Sequence, residues 1–129
     1  MKHKVIVIEG INYHYFKVFK DDDRQIGWAC LEIGDRDHYT FKDFCNEKPE
    51  RCAHITIIKT EKSERNKGVA TAILDKIVKR YEDWDLFLQV IPLDSTNTVQ
   101  SLTSFYRKFG FERCEFGGLV PTMVKPAKI

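Results

Sequence analysis

Three runs in the first third of the chain, KVIVIE (residues 4–9), YHYFKVF (13–19) and IGWACLEI (26–33), are dense in β-branched and aromatic residues, and the turn-type stretches GIN and DDDRQ separate them. Such runs favour strands, and connections this short make neighbours antiparallel, so the N-terminal half reads as a meander. HYTF (38–41) reads as a further short strand. After the break at EKPERC comes AHITIIKT (53–60), whose alternation places His54, Thr56 and Ile58 on one face and Ile55 and Ile57 on the other. Both faces are apolar enough for a central strand.

From Gly68 the period changes. Ala70, Ile73, Leu74, Ile77 and Tyr81 fall on one stripe, with Asp75 and Lys79 four apart on the opposite side, which predicts an amphipathic helix. DLFLQVIP (85–92) follows as a buried-type strand, so strand, helix and strand form a right-handed βαβ unit with two parallel strands. A second helix is marked by Asn97 as N-cap with Gln100 three residues on, by the stripe Val99, Leu102, Tyr106 and Phe109, and by Gly110 as the stop. FERCEF and VPTMVK supply two last strands. The fold class is α+β (mixed α/β): one domain over residues 1–129, with a central mixed sheet built from an antiparallel meander, a βαβ unit, a second helix and two C-terminal strands.

Composition narrows the picture. With 129 residues, 43% of them hydrophobic, the chain can bury one core and has no room for a second. A formal net charge of +2 is too small for a nucleic-acid footprint, and aromatic and basic residues do not interleave as in an RNA-binding sheet, so no nucleic-acid partner is expected. No apolar run reaches membrane-span length, and Glu9 interrupts the early VIVI; neither a membrane partner nor a secretory signal is expected, and the localisation that follows is cytoplasmic. Four scattered cysteines (Cys30, Cys45, Cys52, Cys114) then read as reduced thiols without disulfides. His38, Cys45, Cys52 and His54 lack zinc-ligand spacing, so no metal is expected. Trp28 and Trp84 read as packing anchors, and Asp21 to Asp23 as a solvated hairpin turn.

The stretch with candidate chemistry is SERNKGVATAIL (63–74), where a polar loop becomes the first helix. A helix start carries unpaired N–H groups and partial positive charge, and residues without bulk let an anion reach them, with Arg65 and Lys67 alongside. Neither a P-loop nor a dinucleotide fingerprint is present. A solvated loop before an ordinary helix is the competing reading of this stretch alone.

The order of elements, together with Arg65-Asn66-Lys67-Gly68-Val69-Ala70 and FYRKFGF (105–111), resembles the GNAT superfamily of acetyl-coenzyme A dependent N-acetyltransferases, whose signature is Arg/Gln-x-x-Gly-x-Gly/Ala. The likeness runs from about Cys52 to Lys125. It implies acetyl-CoA as cosubstrate, with the pyrophosphate on the first helix start. It assigns coenzyme contacts to Ile58 and Thr60 on the preceding strand, to Arg65, Asn66, Lys67, Gly68, Val69, Ala70 and Thr71, and to Lys108. Where many members carry asparagine and alanine this chain has Val99 and Leu102, and Asn97 or Gln100 stands in for the missing polar contact. Tyr106 falls on the family's tyrosine, which implies a role towards the leaving thiolate; a half-buried packing tyrosine is the alternative. His54 falls on the strand position at which GNAT histone acetyltransferases carry a glutamate base, with Glu32, Glu61 or bulk water as alternatives.

The chemistry such an enzyme needs is simple to state. An ammonium must lose a proton before its nitrogen can attack a thioester, the oxyanion needs a donor, and the departing thiolate benefits from an acid. The resemblance leaves the partner as an amine acceptor, small molecule or protein. The chain lacks the helices that the family places between its first two strands, which predicts an open acceptor groove suited to a peptide or protein, or else a homodimer that supplies the missing wall. A catalytically silent acyl-coenzyme A binding or sensor module is the alternative function.

Overall fold

The computed structural model describes residues 3–35, 51–65, 67–92, 97–114 and 121–128. Strands β1 (Lys4–Glu9), β2 (Tyr13–Phe19), β3 (Gln25–Asp35) and β4 (Arg51–Thr60) form the antiparallel meander. Helix α1 (Val69–Arg80) then crosses to β5 (Asp85–Gln89), which pairs parallel with β4. Helix α2 (Val99–Arg107) leads to β6 (Glu112–Cys114) and β7 (Thr122–Lys125), completing a seven-stranded sheet in the order β1-β2-β3-β4-β5-β7-β6. The mixed α+β architecture is the one expected. The HYTF strand and the end of FERCEF lie outside the described residues.

Both helices pack on one cluster. Ile73, Leu74 and Ile77 of α1 are wholly buried against Phe16, Val18, Ala29, Leu31, Ala53 and Leu86, while Leu102, Phe105 and Tyr106 of α2, with Phe109 in the turn after it, close on the same cluster beside Phe111 and Met123. On the opposite face of the sheet, the described residues form the small cluster of Cys52, Phe87 and Val124. Between β1 and β2 there is a tight turn, with the Gly10 amide donating to the Tyr13 carbonyl at 2.8 Å, and no helix. Ile6, Ile8, Tyr13 and Tyr15 therefore stand exposed on β1 and β2.

Several local readings are corrected. Thr98, not Asn97, is the N-cap of α2: its extended backbone lets its hydroxyl accept from the Ser101 amide at 3.0 Å, and the Ser101 hydroxyl in turn accepts from the Thr98 amide. Gly110 does end the turn after α2, at φ +95°. The alternation along β4 breaks at Thr56. Leu31 pairs with Ile55 whereas Cys30 pairs with Ile57, so Thr56 is the extra residue of a β-bulge, its hydroxyl donating to the Cys30 carbonyl at 2.9 Å. The phase flips there, which puts Ile55 and Ile58 on the helix-covered side. Nor is β4 buried on both faces throughout: residues 56–60 are half-buried or exposed. Cys52 is disulfide-bonded, against the expectation of reduced thiols, while Cys30 and Cys114 form no disulfide; spacing alone says nothing about which cysteines the fold brings together.

Gly27 fixes how closely α1 starts over the sheet. A Cβ there would lie 2.7 Å from Val69 Cγ1 and 3.1 Å from the Lys59 carbonyl oxygen. Gly27→Val is expected to cost about 1–3 kcal/mol as overpacking, read as a lower urea midpoint with unchanged slope.

Candidate active site

The candidate site forms where β4 and β5 separate. Their pairing runs from Cys52 with Asp85 to Ile55 with Leu88 and stops, although β4 continues to Thr60. Immediately past the bulge, the β5-facing edge of residues 56–60 thus has no ladder partner among the described residues. A strand-like ligand carrying amides can enter such a gap and meet unpaired backbone donors and acceptors.

At the far end of β4 the chain makes a 3₁₀ turn (Lys62–Glu64) and enters α1 through Gly68, its N-cap, at φ +82°. Among the described residues no side chain caps that end, and apart from the residues adjoining Gly68 in the chain no heavy atom lies within 4 Å of where its Cβ would stand. An uncapped helix start with open space at its N-cap is where an anion can seat on first-turn N–H groups. The expected coenzyme residues divide here. Gly68 and Lys67 are exposed, as is Thr71, and Arg65 and Ala70 are half-buried around the same mouth. The Val69 side chain is core, 1% exposed, so it is the backbone of this residue that can face a ligand. Ile58 and Thr60 are half-buried on the unpaired stretch of β4. Asn97 and Lys108 are exposed at opposite ends of α2, and Asn66 lies outside the described residues.

Tyr106 lies on the helix-covered side, its ring edge-on to Phe105 and Phe111 at centroid distances of 5.6 and 6.2 Å. Burial pushes its phenol above the usual value, so it stays protonated as a donor across the neutral range.

His54 lies on the other face. Cross-strand register lines up Tyr13, Glu32, His54, Phe87 and Val124 in one row across five strands. The imidazole stacks on Phe87 at 4.7 Å with 7° between planes, and its Nδ1 is 3.7 Å from Glu32 Oε1. Burial lowers the His54 pKa, with the Glu32 carboxylate pulling the other way. The net direction keeps the ring neutral, and hence basic, at pH 7. The bulge two residues on from His54 and the register row carrying Glu32 were not readable from spacing. Glu61, the other candidate base, is half-exposed beside Arg24 at 3.7 Å, by the loop rather than in the row. Among the described residues no group of three or more His, Cys, Asp or Glu could hold a metal; His38 and Cys45 lie outside them.

Comparison with known proteins agrees with this fold. The family model of the acetyltransferase (GNAT) domain matches residues 12–113. Among solved structures, a histone acetyltransferase HPA2 and related acetyltransferase from Corynebacterium glutamicum superposes with TM-score 0.67 at 16% identity, over 92% of this chain and 67% of the other. Arabidopsis thaliana NAA60, in complex with a bisubstrate analogue, gives 0.62 at 15% identity over 89% and 75%. A PaiA N-acetyltransferase from Thermoplasma acidophilum, in complex with coenzyme A, gives 0.61 at 20% identity over 89% and 61%. No curated protein sequence matches the chain.

Proposed function

The chain belongs to the GNAT acetyltransferase family, and from that premise we propose that it moves the acetyl group of acetyl-coenzyme A to a primary amine by direct attack on the thioester. The observation that carries this reading is the parting of β4 and β5 beside the Thr56 bulge, with a phenol on one side of the sheet and a histidine–carboxylate pair on the other. The pyrophosphate seats on the α1 start around Gly68, and the pantetheine arm runs along the unpaired edge of β4, which brings the thioester into the gap. The acceptor approaches from the face of Glu32 and His54. Its ammonium gives a proton to neutral His54, directly or through a water, and the freed lone pair attacks the carbonyl carbon. A backbone N–H of β4 past the bulge donates to the oxyanion. As the C–S bond breaks, the Tyr106 phenol gives its proton to the thiolate sulfur, and the second proton leaving the acylated nitrogen restores the phenol, directly or through water.

A peptide or protein amine is the acceptor we favour. Support comes from the uncovered sheet face and from a solved structure, Arabidopsis thaliana Naa50, in complex with a bisubstrate analogue that joins coenzyme A to a peptide. The same exposed Ile6, Ile8, Tyr13 and Tyr15 are what supports a homodimer, which sedimentation at rising concentration tests. The cytoplasmic location stays part of the proposal.

The role of His54 is tested against pH. Because its folded pKa lies below the usual value of 6.5, activity persists as pH falls to that value and declines only through the lowered pKa. His54→Ala is expected to reduce turnover roughly 10- to 100-fold and to remove that acidic limb, and His54→Glu to restore part of the rate. An unaltered pH profile in well-folded His54→Ala transfers the base role to Glu32 or solvent.

A further inference from the structure

One buried charge near the loop has no part in the chemistry above. The Glu64 side chain is only 3% exposed, yet it ends the 3₁₀ turn four residues before Gly68. Two ammonium groups meet its carboxylate. Lys20 Nζ lies 2.5 Å from Oε1 and 3.1 Å from Oε2, and Lys67 Nζ lies 3.3 Å from Oε2. The two lysines differ in setting. Lys20 is largely covered, its side chain 21% exposed, at the foot of the β2–β3 hairpin, where its amide donates to the Arg24 carbonyl and its carbonyl accepts from the Asp23 amide. Lys67, with 54% of its side chain exposed, stands next to Gly68 at the mouth of α1.

A carboxylate this buried survives as an ion only if cations satisfy it, and the hydrogen bond from Lys20, with Lys67 in support, holds Glu64 below the usual carboxylate range against the opposing effect of burial. Lys20 satisfies one oxygen at close range and comes within hydrogen-bonding distance of the other, which is left to orient Lys67. The surplus is one positive charge, carried by the lysine nearest the open helix end.

We propose that Glu64 is a positioning residue of the coenzyme site, anchored by Lys20 and holding the Lys67 ammonium at the mouth of α1 to receive a pyrophosphate. The proposal rests on the coenzyme reading above and adds to it a residue that touches no ligand. Simple charge and positioning predict opposite signs. Replacing Glu64 by Gln removes a negative charge beside a polyanion site, which by Coulomb attraction alone tightens binding. If position governs, the freed Lys67 swings into solvent and binding weakens.

The test is calorimetric titration of coenzyme A into wild type, Glu64→Gln, Lys67→Met and the double variant, with circular dichroism to confirm folding. We expect roughly 5-fold weaker binding for Glu64→Gln, and no further loss from that change once Lys67 is already Met, since the two effects pass through one group. Glu64→Asp keeps the charge and shortens the reach, so it should weaken binding similarly; it serves where the amide variant folds poorly. Equal or tighter binding by a folded Glu64 variant, or full additivity with Lys67→Met, overturns the proposal. Wild type that does not bind coenzyme A at all overturns the coenzyme reading instead.

Discussion

Gly68→Asp weakens acetyl-coenzyme A binding by more than tenfold, about 1.4 kcal/mol or more, while the protein remains folded. Two properties of the position combine. Its φ of +82° is one that L side chains rarely adopt, so any substitution adds local strain to the loop. A Cβ there meets no described residue within 4 Å beyond its neighbours in the chain, and the space it enters is at the α1 start, the space assigned to the pyrophosphate. A carboxylate in that space both fills it and repels the phosphates. Calorimetry reads the affinity directly, and unchanged affinity in a folded variant removes the α1 start from the site.

Tyr106→Phe is expected to lower turnover roughly 10- to 1000-fold with little change in coenzyme affinity. The substitution keeps the ring packed between Phe105 and Phe111 and deletes only the hydroxyl. Because burial holds the phenol protonated, the loss should be similar at all pH values in the neutral range, which separates it from the pH-dependent loss at His54. A Phe variant that turns over normally makes Tyr106 a packing residue of α2 and nothing more.

The two helices, the N-terminal meander and the βαβ unit were legible because each signal repeats over several turns or residues, whereas the place of β7 between β5 and β6 has no such signal. Ile73, Leu74 and Ile77 needed only their spacing to be placed in the core, and the short GIN and DDDRQ links left little choice but antiparallel neighbours. Misreadings arose where one residue's backbone decides. Asn97 and Thr98 are both good N-cap residues, and only the extended conformation and the Ser101 pairing choose Thr98. The Thr56 bulge sits in a run of β-branched residues that looks the same with or without it, yet it reverses the faces of the rest of β4. That the Val69 side chain is core follows from the first turn of α1 lying against Gly27, a contact that no loop motif marks. The Glu64 cluster draws on Lys20, 44 positions away, and the His54 row depends on the register of five strands; neither has any local mark.

On the proposed mechanism this sheet, split between β4 and β5, passes an acetyl group from a coenzyme on its helix-covered side to an amine on the other. That transfer is tested most directly by incubating the pure protein with acetyl-coenzyme A and a panel of peptides, polyamines and aminoglycosides, following free thiol and product mass together. The expected result is thiol release that depends on an added amine, matched by a product heavier by one acetyl group and abolished with the amine blocked. Tight coenzyme binding with no acceptor-dependent thiol release across the panel would contradict the account and leave an acyl-coenzyme A binding module in its place.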